Sequence, residues 1–126
     1  MKLLPIALAA NAGFSLLSGL LLTTFPKYLA GVFAATTHIP FLLIGLGLLF
    51  FAYTIFIELK PQRSHKVLAI IIQDLIWVIG SILILIFRPL PIAAIGYSII
   101  TWVAGFVLLF ALLQAWGWWK SSKVEL

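Results

Sequence analysis

The chain has 126 residues, of which 64% are hydrophobic and 9% charged, with eight Lys and Arg against three Asp and Glu and a formal net charge of +5. A water-soluble domain carries about 25% charged residues and a disordered chain needs low hydrophobicity, so both classes are excluded and a membrane protein remains. The absence of cysteine removes disulfides, thiolate metal sites and cysteine nucleophiles from consideration.

Charged residues leave four long intervals, Leu3 to Pro26, Tyr28 to Ile57, Val67 to Phe87 and Pro89 to Trp119. A hydrocarbon core of about 30 Å needs about 20 helical residues, and the alternating polarity of a barrel strand is absent. The first helix is expected over 5–24, with Pro5 near its start and Pro26 beyond its end, because proline is tolerated at helix starts and excluded from interiors. Met1-Lys2 followed by an apolar run and Ala7-Leu8-Ala9 also fits a secretory signal. Apolar character continues past that point to Phe25, so a retained helix is the expectation. Asn11, Ser15 and Ser18 share one face of it, three and four residues apart.

The second helix is expected over 39–58, between Pro40 and Pro61, with Tyr53 and Thr54 near its Lys60 end. A third follows over 67–87. Asp74 is the single ionisable residue well inside a span; it lies about 12 Å from Lys66 at helical rise, and Asn11 lies about 13 Å from Lys2. Similar depth lets Asp74, Asn11, Tyr53 and Gln73 converge on one ligand- or proton-binding site. Asp74, Trp77 and Ser81 form a stripe on this third helix.

The fourth helix is expected over 91–115, after Pro89 and Pro91. Ala94, Tyr97, Ser98, Thr101 and Gly105 fall within roughly a quarter turn of it. Ser15, Ser18, Ser81, Ala94, Ser98, Thr101 and Gly105 are expected in helix packing, where small side chains and hydroxyls permit close approach in lipid. The Ala94, Ser98, Thr101 and Gly105 face is also the candidate contact of an oligomer. Trp116, Trp118, Trp119 and Lys120 read as an anchor at the membrane interface, where indoles and a snorkelling lysine suit the headgroup region.

Four spans put both termini on one side. That side holds Lys2, Lys60, Arg63, Lys66, Lys120 and Lys123, the other only Lys27 and Arg88, so the positive-inside rule places both termini in the cytoplasm. The basic collar suits anionic lipid headgroups and gives no case for a nucleic-acid site. His38 and His65 fall on opposite sides and cannot share a metal within one chain. No metal cluster, acid pair, phosphate loop or triad is present, so neither an enzyme nor a cofactor is expected.

The expected architecture is an all-α, antiparallel four-transmembrane-helix bundle forming a single membrane domain over 1–126. In length and span count it resembles small multidrug exporters and dual-topology fluoride channels. The exporters carry a membrane-embedded glutamate in their first helix, where this chain has Asn11, and the orientation bias here departs from dual topology. The likeness is to small bacterial integral membrane proteins in general, and it implies a multi-pass protein of the bacterial inner membrane. An intramembrane carboxylate is costly and reads as functional by default, although a neutral Asp74 would also serve as a hydrogen-bonding tie to Asn11 or Tyr53. The expected function is a small-solute or proton-linked transporter, or a ligand-binding membrane protein, centred on Asp74. The alternative is a non-catalytic accessory subunit of a larger membrane complex. Expected partners are membrane lipids together with a homo-oligomer or a larger membrane protein.

Overall fold

The computed structural model of the protein describes residues 3–88 and 91–125, and side chains as far as Lys120. Lys2 and Pro89, and the Lys123 side chain, lie outside the described residues. The described residues form five helices and no strand: α1 (Leu3–Thr24), α2 (Pro26–Phe33), α3 (Ile39–Ile57), α4 (Ser64–Phe87) and α5 (Ala94–Glu125). Four of them, α1, α3, α4 and α5, are long and apolar enough to cross a membrane.

Helix ends follow the local chemistry. Pro26 halts α1 and at the same time opens α2 as its first residue, where a missing N–H costs nothing and the fixed φ suits a helix. The sequence reading placed only a connection here. At its far end α2 stops at Ala34, which is left-handed at φ 55°, with the Ala34 and Ala35 N–H groups bonding back to Gly31 and Ala30. The Ala93 N–H donates to the Phe33 carbonyl at 2.7 Å. This bond holds the segment after Pro91 outside the helix, so α5 begins at Ala94 and not at 91. Helix α4 begins at Ser64 and not at 67, because Lys66 is a good helix former and is exposed in the first turn. Helix α5 also continues well past 115, since the lysines and serines after Trp119 do not break a helix.

Helix α1 packs along both α3 and α5, and α5 packs along α4, whereas α3 and α4 are not paired along their lengths. The four long helices therefore form an arc in the order α3, α1, α5, α4. At one end the arc is tied by a buried cluster containing Leu4, Leu8 and Ala12 of α1, Phe51 and Ile55 of α3, and Val67, Ile70 and Ile71 of α4. At the other, α2 touches α1, α3 and α5, with the Phe33 ring 5.0 Å from that of Phe41 and against Gly96. Large apolar side chains such as Leu17, Ile76, Ile86, Phe87 and Trp102 are exposed, a surface that soluble monomers avoid.

Lipid tails are as apolar as leucine, so contacts between such helices depend on close fit. A Cβ on Gly45 would stand 2.7 Å from Leu22 Cβ and 3.0 Å from the Thr23 backbone nitrogen. One on Gly117 would stand 2.8 Å from Leu4 Cβ. Gly45→Val is therefore expected to push α1 and α3 apart and cost about 1–3 kcal/mol, read by unfolding in mixed micelles. Gly105→Leu should leave the stability of the single chain unchanged, since a Cβ there meets nothing within 4 Å.

The turn between α3 and α4 is locked by an ion pair. The Glu58 carboxylate is buried, accepts from the Arg63 backbone N–H at 3.1 Å and from Arg63 Nε at 3.2 Å, and pairs with the second guanidinium nitrogen. The Arg63 hydrogen bond holds the Glu58 carboxyl below its ordinary value of 4.5. A carboxyl lowered in the folded state contributes stability that is complete above its unfolded value and is lost as pH falls through the folded one. The Glu58 contribution to stability should therefore be flat above about pH 5 and decline on acidification below the ordinary glutamate range. Glu58→Gln should flatten that acid limb in thermal unfolding followed across pH.

Candidate functional site

Three helices each bring one polar side chain to the same buried point. Asn11 of α1, Asp74 of α4 and Gln114 of α5 are 1%, 2% and 0% exposed. Asn11 Nδ2 donates to Asp74 Oδ2 at 2.8 Å and to Gln114 Oε1 at 2.9 Å, and Gln114 Nε2 donates to Asp74 Oδ2 at 2.8 Å. Both hydrogens of the Asn11 amide are thus used, and Asn11 Oδ1 accepts from Ser15 Oγ at 3.5 Å. The two donors at Asp74 converge on one oxygen. Asp74 Oδ1 accepts no hydrogen bond from the described residues.

Beside this network is a cavity of about 270 Å³. Its polar wall comprises Asn11, Ser15, Ser18, Gln73 and Asp74, together with Trp77. The apolar wall is made by Phe14, Ile44, Leu48, Phe51, Val103 and Val107, with Gly47 between. Phe14 is braced from behind by Phe106 and Phe110, with ring centroids 5.7 and 5.6 Å away. The Trp77 indole nitrogen is a buried donor without a partner among the described residues, an expensive state in an apolar setting. Asp74 is the single titratable group among the lining residues.

The structure brings Asn11 and Asp74 together and sets Gln73 on the same cavity wall, where it is exposed and makes no hydrogen bond among the described residues. Tyr53 is not brought in: it is 63% exposed. Its depth matches, but on α3 it projects about 160° away from Phe51 and Ile55, which face the core. Ser15 and Ser81 are buried, and Ser81 Oγ donates to the Trp77 carbonyl at 2.8 Å, while Ser18 is half-buried on the cavity wall. The expectation that Ala94, Ser98, Thr101 and Gly105 pack between the helices of one chain is corrected, since all four are exposed. The buried seam of α5 runs through Tyr97, Ala104 and Ala111, and the small-residue stripe lies about 60–120° round from its midline. Trp116 and Trp119 are exposed, Lys120 Nζ lies 5.4 Å from the Trp116 ring, and Trp118 Nε1 reaches Ser64 Oγ at 2.9 Å.

Gln114 was missed by the sequence reading, which singled out no role for it within the fourth helix. A signal was present: counting back from Lys120 puts it about 9 Å deep at helical rise, within a turn of the level assigned to Asp74. Comparison with known proteins finds no matching family model, no curated relative and no matching solved structure.

Proposed function

We propose that the chain is an antiparallel four-span protein of the bacterial inner membrane that binds a small solute at Asp74 and couples its passage to a proton. One observation carries this reading: a buried carboxylate with one oxygen outside its hydrogen-bond network lines a cavity that holds no other titratable group. An intramembrane carboxyl of that kind is costly to keep and is functional by default. The neutral amides of Asn11 and Gln114 fix its position without cancelling its charge, so a proton or a bound solute can take the remaining oxygen. With a single acid and no paired base, the site is read as binding and non-catalytic.

Both termini and the turn at residues 58–63 are placed in the cytoplasm by the lysine and arginine bias. Reporter fusions after Lys27 and Arg88 should read extracytoplasmic and those after Arg63 and Lys123 cytoplasmic; the inverse pattern overturns the orientation. Four helices leave little material to surround a pathway, so a transporter of this size implies at least a homodimer. The exposed Ala94, Ser98, Thr101 and Gly105 face is proposed as its contact. Gly105→Leu should then yield monomers, and an oligomer that survives it rejects this interface.

The deciding experiment is isolation in native lipid followed by mass spectrometry. A co-purifying small molecule that is lost in Asp74→Asn supports the binding reading. A stoichiometric protein partner with no small molecule would reassign the chain as an accessory subunit.

A further inference from the structure

We infer that the Asp74 cavity takes the head of a long-chain primary amine, which enters sideways from the bilayer through the seam between α3 and α4. The inference rests on the membrane-embedded binding site proposed above and names its ligand class and route.

The route follows from which helices touch. The arc α3, α1, α5, α4 has three packed interfaces and one unpaired seam, and the cavity is lined from both sides of that seam by Ile44 and Gly47 of α3 and Gln73 and Asp74 of α4. Ile44, Gly47 and Gln73 are exposed there. Toward the 58–63 turn, the seam is filled by the buried cluster of Phe51, Ile55, Val67 and Ile71. Toward α2, the Phe33 and Phe41 rings pack against one another. A side entrance at membrane depth admits molecules already dissolved in lipid.

The ligand chemistry follows from the walls. Asp74 Oδ1 is available as an acceptor, no Lys, Arg or His lines the cavity, and a carboxylate in such a setting is best matched by a positive charge that also donates hydrogen bonds. An ammonium does both, whereas an alcohol supplies no charge and an anion is repelled. The hydroxyls of Ser15 and Ser18 and the Gln73 amide oxygen offer further acceptors, and the Trp77 ring in the same wall attracts a cation. A volume of about 270 Å³ falls just short of pockets that enclose a whole drug-sized ligand, about 300–1,000 Å³. It therefore suits the head and the first methylenes against Phe14, Leu48 and Val107, with the remaining chain left in lipid.

The test uses the full chain in phosphatidylcholine nanodiscs with ¹⁵N-labelled indoles, the Trp77 resonance being identified by Trp77→Phe. Dodecylamine, dodecanol and ethylamine are the three probes. Dodecylamine is expected to shift the Trp77 resonance saturably, at least about tenfold more tightly than dodecanol at equal mole fraction in the lipid. Ethylamine, which stays in water, is expected to leave it unmoved. Gly47→Phe, which fills the mouth at a position where a Cβ meets nothing within 4 Å, and Asp74→Asn should each weaken dodecylamine at least about tenfold. Unchanged positions of the other four indole resonances would show that the variants are folded, and the three-probe comparison on the unmodified chain stands without them. Equal response to ethylamine overturns the lateral route and leaves the Asp74 site standing. Equal response to dodecanol, or indifference to Asp74→Asn, overturns the amine assignment. No saturable shift with any probe overturns the whole inference, while the reading of the protein as a solute-binding one is decided separately by the co-purification result.

Discussion

Asp74→Asn is expected to leave the fold intact while removing the pH dependence of solute binding or flux. The side chains are the same size, and an asparagine oxygen turned toward Asn11 Nδ2 and Gln114 Nε2 preserves both bonds that Asp74 Oδ2 accepts at 2.8 Å. Exchanging a charged acceptor for a neutral one weakens each bond by about 1 kcal/mol or less, so the variant should remain folded. On the proposed function, what disappears is the ability to alternate between a proton and a cation at one oxygen. From α1 the carboxyl is faced by Asn11, Ser15 and Phe14, from α3 by Phe51 and Leu48, from α5 by Gln114 and Val107, and from α4 by Gln73 and Trp77. None of these side chains titrates near neutral pH. Binding of a cation requires the ionised carboxylate, so affinity in the unmodified protein should fall on acidification, by up to tenfold per pH unit once the proton dominates. In Asp74→Asn the same titration should be weak and flat. A pH response that survives the substitution removes Asp74 from the coupling mechanism, whatever else the residue does.

The sequence carried more of the architecture than of the site, for reasons visible in particular residues. The four long apolar helices are legible because hydropathy sums over every residue of a segment, and the sum over about 20 positions is unambiguous. Helix α2 was not legible, because Pro26 carries two meanings, terminator of one helix and first residue of the next, and sequence spacing does not separate them. Within the site, depth is one coordinate and azimuth the other. Depth arithmetic paired Asn11 with Asp74, and the two are in contact. It also nominated Tyr53, which shares the level but turns outward, because the uniformly apolar α3 offers no polar stripe to fix its rotation. The same weakness misplaced the α5 stripe: small residues are compatible with both a packed face and an exposed one, and Tyr97, Ala104 and Ala111 form the packed one.

Gln114 tests whether the network positions the acid or merely accompanies it. Its side chain is fully buried, accepts from Asn11 at 2.9 Å and donates to Asp74 at 2.8 Å, and it lies outside the cavity lining. Gln114→Leu keeps most of the volume, so the loss is polar. Two interhelical bonds in a membrane protein are worth about 0.6 kcal/mol each on average, but the substitution also orphans one Asn11 hydrogen, and an unsatisfied buried donor costs about 1–3 kcal/mol. The second effect should dominate, giving a total loss of about 2–4 kcal/mol in mixed-micelle unfolding. Asn11→Leu removes the orphaned donor, so the double variant Asn11→Leu, Gln114→Leu should lose less than the sum of the singles, with a coupling of at least about 0.5 kcal/mol. Tyr53→Phe, on an exposed position outside the network, should change stability by less than about 0.5 kcal/mol. Strict additivity between Asn11 and Gln114 would mean that Asp74 holds each amide separately. The carboxyl would then be oriented by its own helix, and the three-helix network would lose its role in holding it at the cavity wall.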